Sequence, residues 1–487
     1  MSLLRTITTA TATATVVRPR IVALALAALL GASLASAHGD DDGQGMAHMG
    51  SSAGTLPEEA KFFRWPDEPM GWALRVHIAL CLIGFVVLLP ISLVMEMARH
   101  RYHPLAQLFG AAVGFLGIVF GWVNGHLDNT YARFGWFMLS LLLVQTAANL
   151  GFSTHMLKRS SVSETLYRVV GLALLAFTYM AMVLGGIRYL NLCTQGHLGQ
   201  CISHFARGSA LIIGSVVFLV FMRIFGPLML EIRRPPEFYV SLIMMTVGLI
   251  GTFTEHNFFQ SAGNGQDNWS HKDLQHTMIG ISWFAGGLLG VLMTARSHPR
   301  FRTPIPSIIF IATGISMIIH QQDLVMSSYV HFFFGASQVL LGLTTICEIT
   351  LVASGFVKDR GEPPLFQYIP VFFMCASGMA LMGANRDMVF FLVNSGIDIS
   401  TYALVLLSFC FVIVLYFYLL VDLYHWLTGT APSKYSALGG DEDLDTTSGW
   451  LQREEELRRK RHSTSSQTST LNHSESSERI TPQTFEV

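Results

Sequence analysis

The sequence predicts an all-α fold, a polytopic transmembrane helix bundle of about eleven spans with two weakly repeated halves. Three observations carry that prediction. Of 487 residues, 51% are hydrophobic and only 13% charged, and the mean hydropathy of +0.46 is too high for an ordinary soluble domain. Apolar runs of about 18–25 residues recur along the chain, the length that a hydrocarbon core of roughly 30 Å demands of a helix. Basic residues gather in alternate connections, as topology signals do. The formal net charge of −1 gives no reason to expect nucleic acid, so the partner implied is the lipid bilayer.

The first 37 residues hold Arg5, Arg18 and Arg20, then the apolar run 21–34, then Ala35-Ser36-Ala37. That order is a secretory signal peptide with an A-x-A cleavage site. A mitochondrial presequence is the competing reading, since no acidic residue precedes Asp40 and Thr is abundant. Residues 38–70 are polar, acidic and Gly-rich, an extracytosolic linker. His38, Met46, His48 and Met49 suit copper chemically but read more simply as part of that linker.

Spans follow at about 72–97, 104–125, 133–154, 166–189, 205–227, 237–256, 275–295, 304–322, 330–353, 366–384 and 400–427. With the signal removed, odd spans run inward and even spans outward. Connections then assigned to the cytosol hold Arg99, Arg101, Lys158, Arg159, Arg233, Arg234, Arg300 and Arg302 among others, against Arg133, Arg188, Arg207, Lys272 and Arg386 on the opposite side. Cys193 and Cys201 share one extracytosolic connection, where a disulfide is allowed. The sequon at Asn268 falls outside too, so the chain reads as a glycoprotein. Residues 71–234 and 235–427 form the two halves. Residues 428–487 make a disordered cytosolic tail, rich in Ser and Thr, with one charged helix candidate at 453–462.

Polar residues inside spans are few. Gln145 and Asn149 stand four apart and read as interhelical hydrogen-bonding groups. Glu348 lies well inside span nine and requires a partner or a water-lined cavity. Cys81, Cys347, Cys375 and Cys410 read as small buried apolar residues. Small residues at 248–251, 286–287 and 335–342 favour close helix packing.

Eleven of the eighteen histidines fall on the extracytosolic side. A lone His at a helix end is inexpensive because water is near, so each taken singly is structural. Their positions recur, however. His77 opens span one and Tyr131 precedes span three, 54 residues later; His276 opens span seven and His331 opens span nine, 55 residues later. YARFG at 131–135 parallels HFFFG at 331–335, and His126 parallels His320, so spans 1–4 and 7–10 read as a repeat in one orientation. The polar stretches 252–276 and 320–331 bring Glu255, His256, His271, His276, His320 and His331 to one membrane face. Imidazoles with a carboxylate suit zinc, copper or iron, and an open coordination position would make such a site catalytic.

The segment 77–190, with HIALCLIGFVVLLP, RYHPLAQLFG, YARFGWFMLSLLLVQ and YRVVGLALLAFTYMAMVLGG, resembles the transmembrane core of cytochrome b561 proteins. The whole chain resembles the fungal Ytp-type integral membrane proteins, which pair a b561-related half with a C-terminal half of their own. The resemblance implies haem b near each membrane face, held by His pairs across alternate helices. Its outer positions fall on His77 and Tyr131, its inner ones on His103 and Tyr167. Two of the four are Tyr, so the C-terminal half fares better: His276 and His331, the latter in an H-x-x-x-G context, would ligate one haem or join a metal site.

The expected function is therefore a haem- or metal-binding membrane redox or metal-handling protein. A zinc-dependent intramembrane hydrolase, with Glu255 as base or ligand, is a second class. A transporter or non-catalytic scaffold is a third, and transport would require a polar path reaching Glu348. The secretory signal without a retention motif points to plasma membrane, vacuole or another endomembrane, N-terminus extracytosolic and C-terminus cytosolic.

Overall fold

The computed structural model describes residues 70–123, 130–157, 160–193, 198–224, 234–254, 271–297, 302–320, 322, 324–353 and 365–430. The signal-peptide candidate, the linker up to residue 69, Glu255, His256, the sequon at Asn268 and the tail from 431 lie outside the described residues. Within them, regular structure is helical throughout: α1 Trp72–Met97, α2 His103–Val123, α3 Thr130–Ser153, α4 Ser161–Tyr189, α5 Leu198–Ile224, α6 Pro236–Thr254, α7 His271–Thr294, α8 Ile305–Ile318, α9 Val325–Ala353, α10 Tyr368–Gly383, α11 Arg386–Asn394 and α12 Ile399–Thr428.

Among the described residues, nine helices are long and apolar enough to cross a membrane, and the bent pair α10–α11 makes a tenth. The expected eighth span is α8, which has only 14 residues. At 1.5 Å per residue it reaches about 21 Å, short of a hydrocarbon core. Helix α5 starts at Leu198, earlier than expected, and takes Arg207 out of a connection and into the helix. Large apolar side chains such as Leu105, Val144, Leu292 and Phe411 are exposed, the surface that lipid covers. Lipid tails are as apolar as leucine, so helix association rests on close packing and interhelical hydrogen bonds.

Both appear where sequence dictates. Pro90 has no N–H to offer the Val86 carbonyl. Helix α1 accordingly widens into a π segment at Leu82–Leu88, and the Tyr416 hydroxyl of α12 donates to the Val86 oxygen. Helices α8 and α9 meet backbone to backbone: a Cβ on Gly335 would stand 2.5 Å from the Gly314 oxygen, and a Cβ on Gly314 2.5 Å from the Gly335 oxygen. That contact fixes the height of α9 beside the end of α8.

The chain after α10 turns by 77° into α11, a helix absent from the sequence expectation. Asn385 makes the break: its side chain accepts from the Met388 N–H at 2.9 Å and so caps α11. Val389, Phe390, Phe391 and Leu392 of α11 are buried, and the last three pack with Leu192, Val330 and Tyr402. A disulfide joins Cys193 to Cys201 and ties the end of α4 to α5. The Cys193 N–H donates to Asp387 Oδ2 of α11 at 2.7 Å. This end of the bundle is called the disulfide end below. Helix α5 packs on α10, and α9 packs between α8 and α10, so α5 joins the C-terminal helices around α9.

Candidate functional site

The disulfide end of the C-terminal helices gathers imidazoles from separate segments. His276 comes from the first turns of α7, His320 from just beyond α8, and His331 from the second turn of α9. The His276 and His320 rings have centroids 5.3 Å apart and the His320 and His331 rings 5.7 Å, so His320 stands in the middle of a row. His320 and His331 are buried. His204 of α5 is buried as well, close enough to His276, His331 and Arg207 for their charges to act on it. Sequence reasoning did not single out His204. The signal was present, since it opens an apolar run as His77 and His276 do.

The rings of His204, His320 and His331 are held through Nδ1. His331 Nδ1 donates to the Ser327 carbonyl at 2.8 Å and His204 Nδ1 to the Gln200 carbonyl at 2.9 Å. Gln275 Nε2 donates to the Ser316 carbonyl at 3.0 Å and its Oγ at 2.9 Å, which turns Gln275 Oε1 toward His320 Nδ1. A carbonyl oxygen only accepts, so the network assigns the hydrogen to Nδ1 and the lone pair to Nε2 in all three rings. Ser327 Oγ in turn donates to Gln322 Oε1 at 3.1 Å.

The N-terminal half presents a different pair at the corresponding end. His77 of α1 donates from Nδ1 to the Gly117 carbonyl at 2.7 Å, and its Nε2 accepts from the Tyr131 hydroxyl of α3 at 3.2 Å. His103, at the start of α2, bonds the His100 carbonyl through Nδ1 at 2.9 Å. Tyr167 donates to Gln107 Oε1. The expected inner pair, His103 and Tyr167, is therefore engaged elsewhere on both sides.

These arrangements do not fit a bis-ligated haem. Two metal–imidazole bonds of about 2 Å in line put donor atoms about 4 Å apart with a flat macrocycle between them. His77 and Tyr131 touch through a hydrogen bond, and the His320 ring packs against the rings of both His276 and His331. Nor, among the described residues, does any group of three or more His, Cys, Asp and Glu side chains gather as a metal ion would hold it. His271 begins α7 but its side chain lies outside the described residues, as do Glu255 and His256.

Helix α9 carries polar groups far below His331. Gln338, two turns on, is fully buried, and neither its Oε1 nor its Nε2 has a hydrogen-bond partner. Ser377 of α10 is likewise fully buried with its Oγ unpartnered. Phe334 and Ala380 share one buried cluster, and Phe373 packs against another that holds Leu341, so Gln338 and Ser377 each lie between the same two clusters along their helices. At the opposite end, Glu348 is buried and bonded to Arg302, its Oε2 at 2.9 Å. The partner that the sequence required for Glu348 is thus an arginine from the segment before α8.

Comparison with known proteins bears on the whole arrangement. A family model described as Protein YTP1-like, C-terminal, matches residues 177–425, and a domain of unknown function, DUF2427, matches residues 59–155. Protein YTP1 of Saccharomyces cerevisiae is 28% identical over 369 residues, covering 72% of this chain and 77% of the relative. An uncharacterized membrane protein of Schizosaccharomyces pombe, C3B8.06, is 22% identical over 183 residues, covering 31% of this chain and 34% of the relative. No solved structure matches. The imidazole row, Gln338 and the Arg302 carboxylates all fall within a match that spans half the sequence, and the chain belongs to the YTP1-like family.

Proposed function

We propose that the C-terminal helices form a proton-linked transport unit, with the imidazole row at its extracytosolic mouth. The disulfide end then faces away from the cytosol and the Arg302 end toward it, in keeping with the basic connections and with a disulfide-permissive compartment. The observation that carries the reading is the line of polar groups along α9: His331 near one end, Gln338 unpartnered in the middle, Glu348 near the other. Ionisable and polar groups inside a span are expensive and mark proton or ion paths.

The test is access of water to the middle of that line. Full-length protein with Cys81, Cys347, Cys375 and Cys410 changed to Ala and Gln338 to Cys is reconstituted in liposomes. It is then treated with a membrane-impermeant thiol reagent across a pH series. Labelling of position 338 by the impermeant reagent, with a pH dependence beyond the rise in thiolate fraction that a reference exposed Cys shows, supports the path. Absence of labelling at every pH sinks it.

The Nδ1-donating rings favour a second reading, capture of zinc or copper, because metal-bound imidazoles donate their other N–H to a fixed oxygen. Stoichiometric metal on the purified protein, lost in His320→Ala, would shift the weight to that reading. A dithionite-reduced haem band in the absorption spectrum would restore the redox expectation and with it the b561 relation of the N-terminal half. The hydrolase reading depends on Glu255, outside the described residues.

A further inference from the structure

Two carboxylates and one guanidinium close the end of the C-terminal helices opposite the disulfide. Glu237 comes from the first turn of α6, Glu348 from α9 and Arg302 from the segment before α8. Arg302 Nε donates to Glu237 Oε1, and its two terminal nitrogens donate to Glu348, at 3.3 Å to Oε1 and 2.9 Å to Oε2. Gln367, in the turn before α10, donates to Glu348 Oε1 at 3.0 Å. The cluster therefore joins α6, α9 and the segments leading into α8 and α10.

The two acids are not equivalent. Both oxygens of Glu348 accept hydrogen bonds, whereas Glu237 Oε2 is buried with no partner. Arg302 is the one cation bonded to either acid among the described residues; Arg234, just before α6, lays its guanidinium over Phe238 instead. Burial weighs against the Arg302 charge, but the two carboxylates more than offset it and raise its pKa. With Arg302 held charged, two ionised acids would leave the buried cluster one negative charge in excess. The amides at the start of α6 favour a charge on Glu237. The second carboxylate and the absent donor on Oε2 oppose it more strongly, because a buried anionic oxygen without a donor bears its full desolvation cost.

We propose that Glu237 is a proton-binding site: its Oε2 takes one proton from the cytosolic side while Arg302 keeps its pair with Glu348. The carboxylate and the proton give a carboxylic acid and nothing else changes hands. The route is short, since the Arg302 side chain is 22% exposed and reaches from water to Glu237. Loss of the proton would leave two anions on one guanidinium, and the ends of α6 and α9 would be drawn toward the same cation. The assignment of this end to the cytosol, and a role in coupling, rest on the transport reading; the proton site itself does not.

The test is an infrared difference spectrum between neutral and alkaline buffer on full-length protein in liposomes. A protonated-carboxyl C=O band is expected in wild type and lost in Glu237→Gln. Glu348→Gln, which leaves Arg302 to Glu237 alone, is expected to weaken it too, so carbodiimide mapping on wild type decides which acid carries the proton. A band that survives Glu237→Gln, or no band in wild type, overturns the assignment. If Glu237→Gln does not fold, wild-type protein treated with dicyclohexylcarbodiimide gives the same answer by peptide mass mapping. The protonated acid adds across a C=N bond, its proton passes to nitrogen, and the adduct rearranges to a stable N-acylurea. An adduct on Glu237 supports the proposal; one confined to Glu348, or none on either acid, overturns it. An unlabelled position 338 with the Glu237 band present would remove the transport reading and leave this site standing.

Discussion

The N-terminal and the C-terminal helices handle their buried imidazoles differently. In the N-terminal half the imidazole of His77 is closed off: one nitrogen bonds the Gly117 carbonyl and the other the Tyr131 hydroxyl. Deeper in that half, Gln107 bonds Tyr167 and Asn149 bonds the Pro104 carbonyl at 3.0 Å, so its polar side chains serve as interhelical fasteners. In the C-terminal helices the His320 ring stands beside those of His276 and His331, and Gln338, two turns beyond His331, has no partner for either polar atom of its side chain. A buried polar group without a partner costs stability; Glu96 Oε2 and Gln145 Oε1 in the N-terminal half are single unpartnered atoms, whereas Gln338 is the one side chain among the described residues with both of its polar atoms buried and unpartnered. The contrast teaches where to look for function: among the polar groups that do not stabilise.

Substitutions can break or sharpen that contrast. The largest effect is expected from Arg302→Ala, which strips a buried acid of its ion pair and should cost about 3–5 kcal/mol in thermal unfolding of the detergent-purified protein. Arg168→Ala in the N-terminal half should cost less, because Arg168 is 38% exposed and holds Glu96 by a single contact at 3.3 Å. Next come two matched amides. Gln107→Leu should lower stability by about 1–2 kcal/mol by orphaning Tyr167, while Gln338→Leu should leave the melting temperature unchanged or higher. Equal losses in both variants would erase the proposed difference between the halves.

Tyr131→Phe removes one interhelical hydrogen bond and should cost about 0.6 kcal/mol, a small shift in the same melt. The smallest effect belongs to the cap of α12. Asp398 accepts from the Ser400 and Thr401 backbone N–H groups at 3.0 Å each. Bonds from the Ser400 side chain first, then from Thr401, hold its carboxyl well below the usual carboxylate range. A lowered folded-state value means the cap stabilises above the ordinary carboxylate pKa and loses its contribution as pH falls through the folded value. Asp398→Asn should flatten the melting curve only at the acid end.

Much of the fold was legible because a bilayer imposes a strict length and polarity on a spanning helix. The expected spans from about 72–97 to 400–427 each coincide with a helix, and Cys193 and Cys201 declared themselves by sharing one connection. Helix α11 was not legible: nine residues are too few to register as a span, and its burial against Leu192, Val330 and Tyr402 comes from partners far apart in sequence. The π segment of α1 was signalled by Pro90, but the donor that answers it, Tyr416, stands on another helix 330 residues away.

For the site, the sequence determined the supply: the histidines at helix ends, the echo of His77 and Tyr131 in His276 and His331, and a buried Glu348 in need of a partner. Tertiary structure decided their use. It put His320 beside His276 and His331, brought His204 alongside, sealed His77 with Tyr131, and answered Glu348 with an arginine shared by Glu237. Periodicity and hydropathy are local properties that each helix carries alone. Which nitrogen donates, which oxygen goes unpaired and which rings pack together depend on interhelical distances of a few ångströms, and those exist only once the helices have packed.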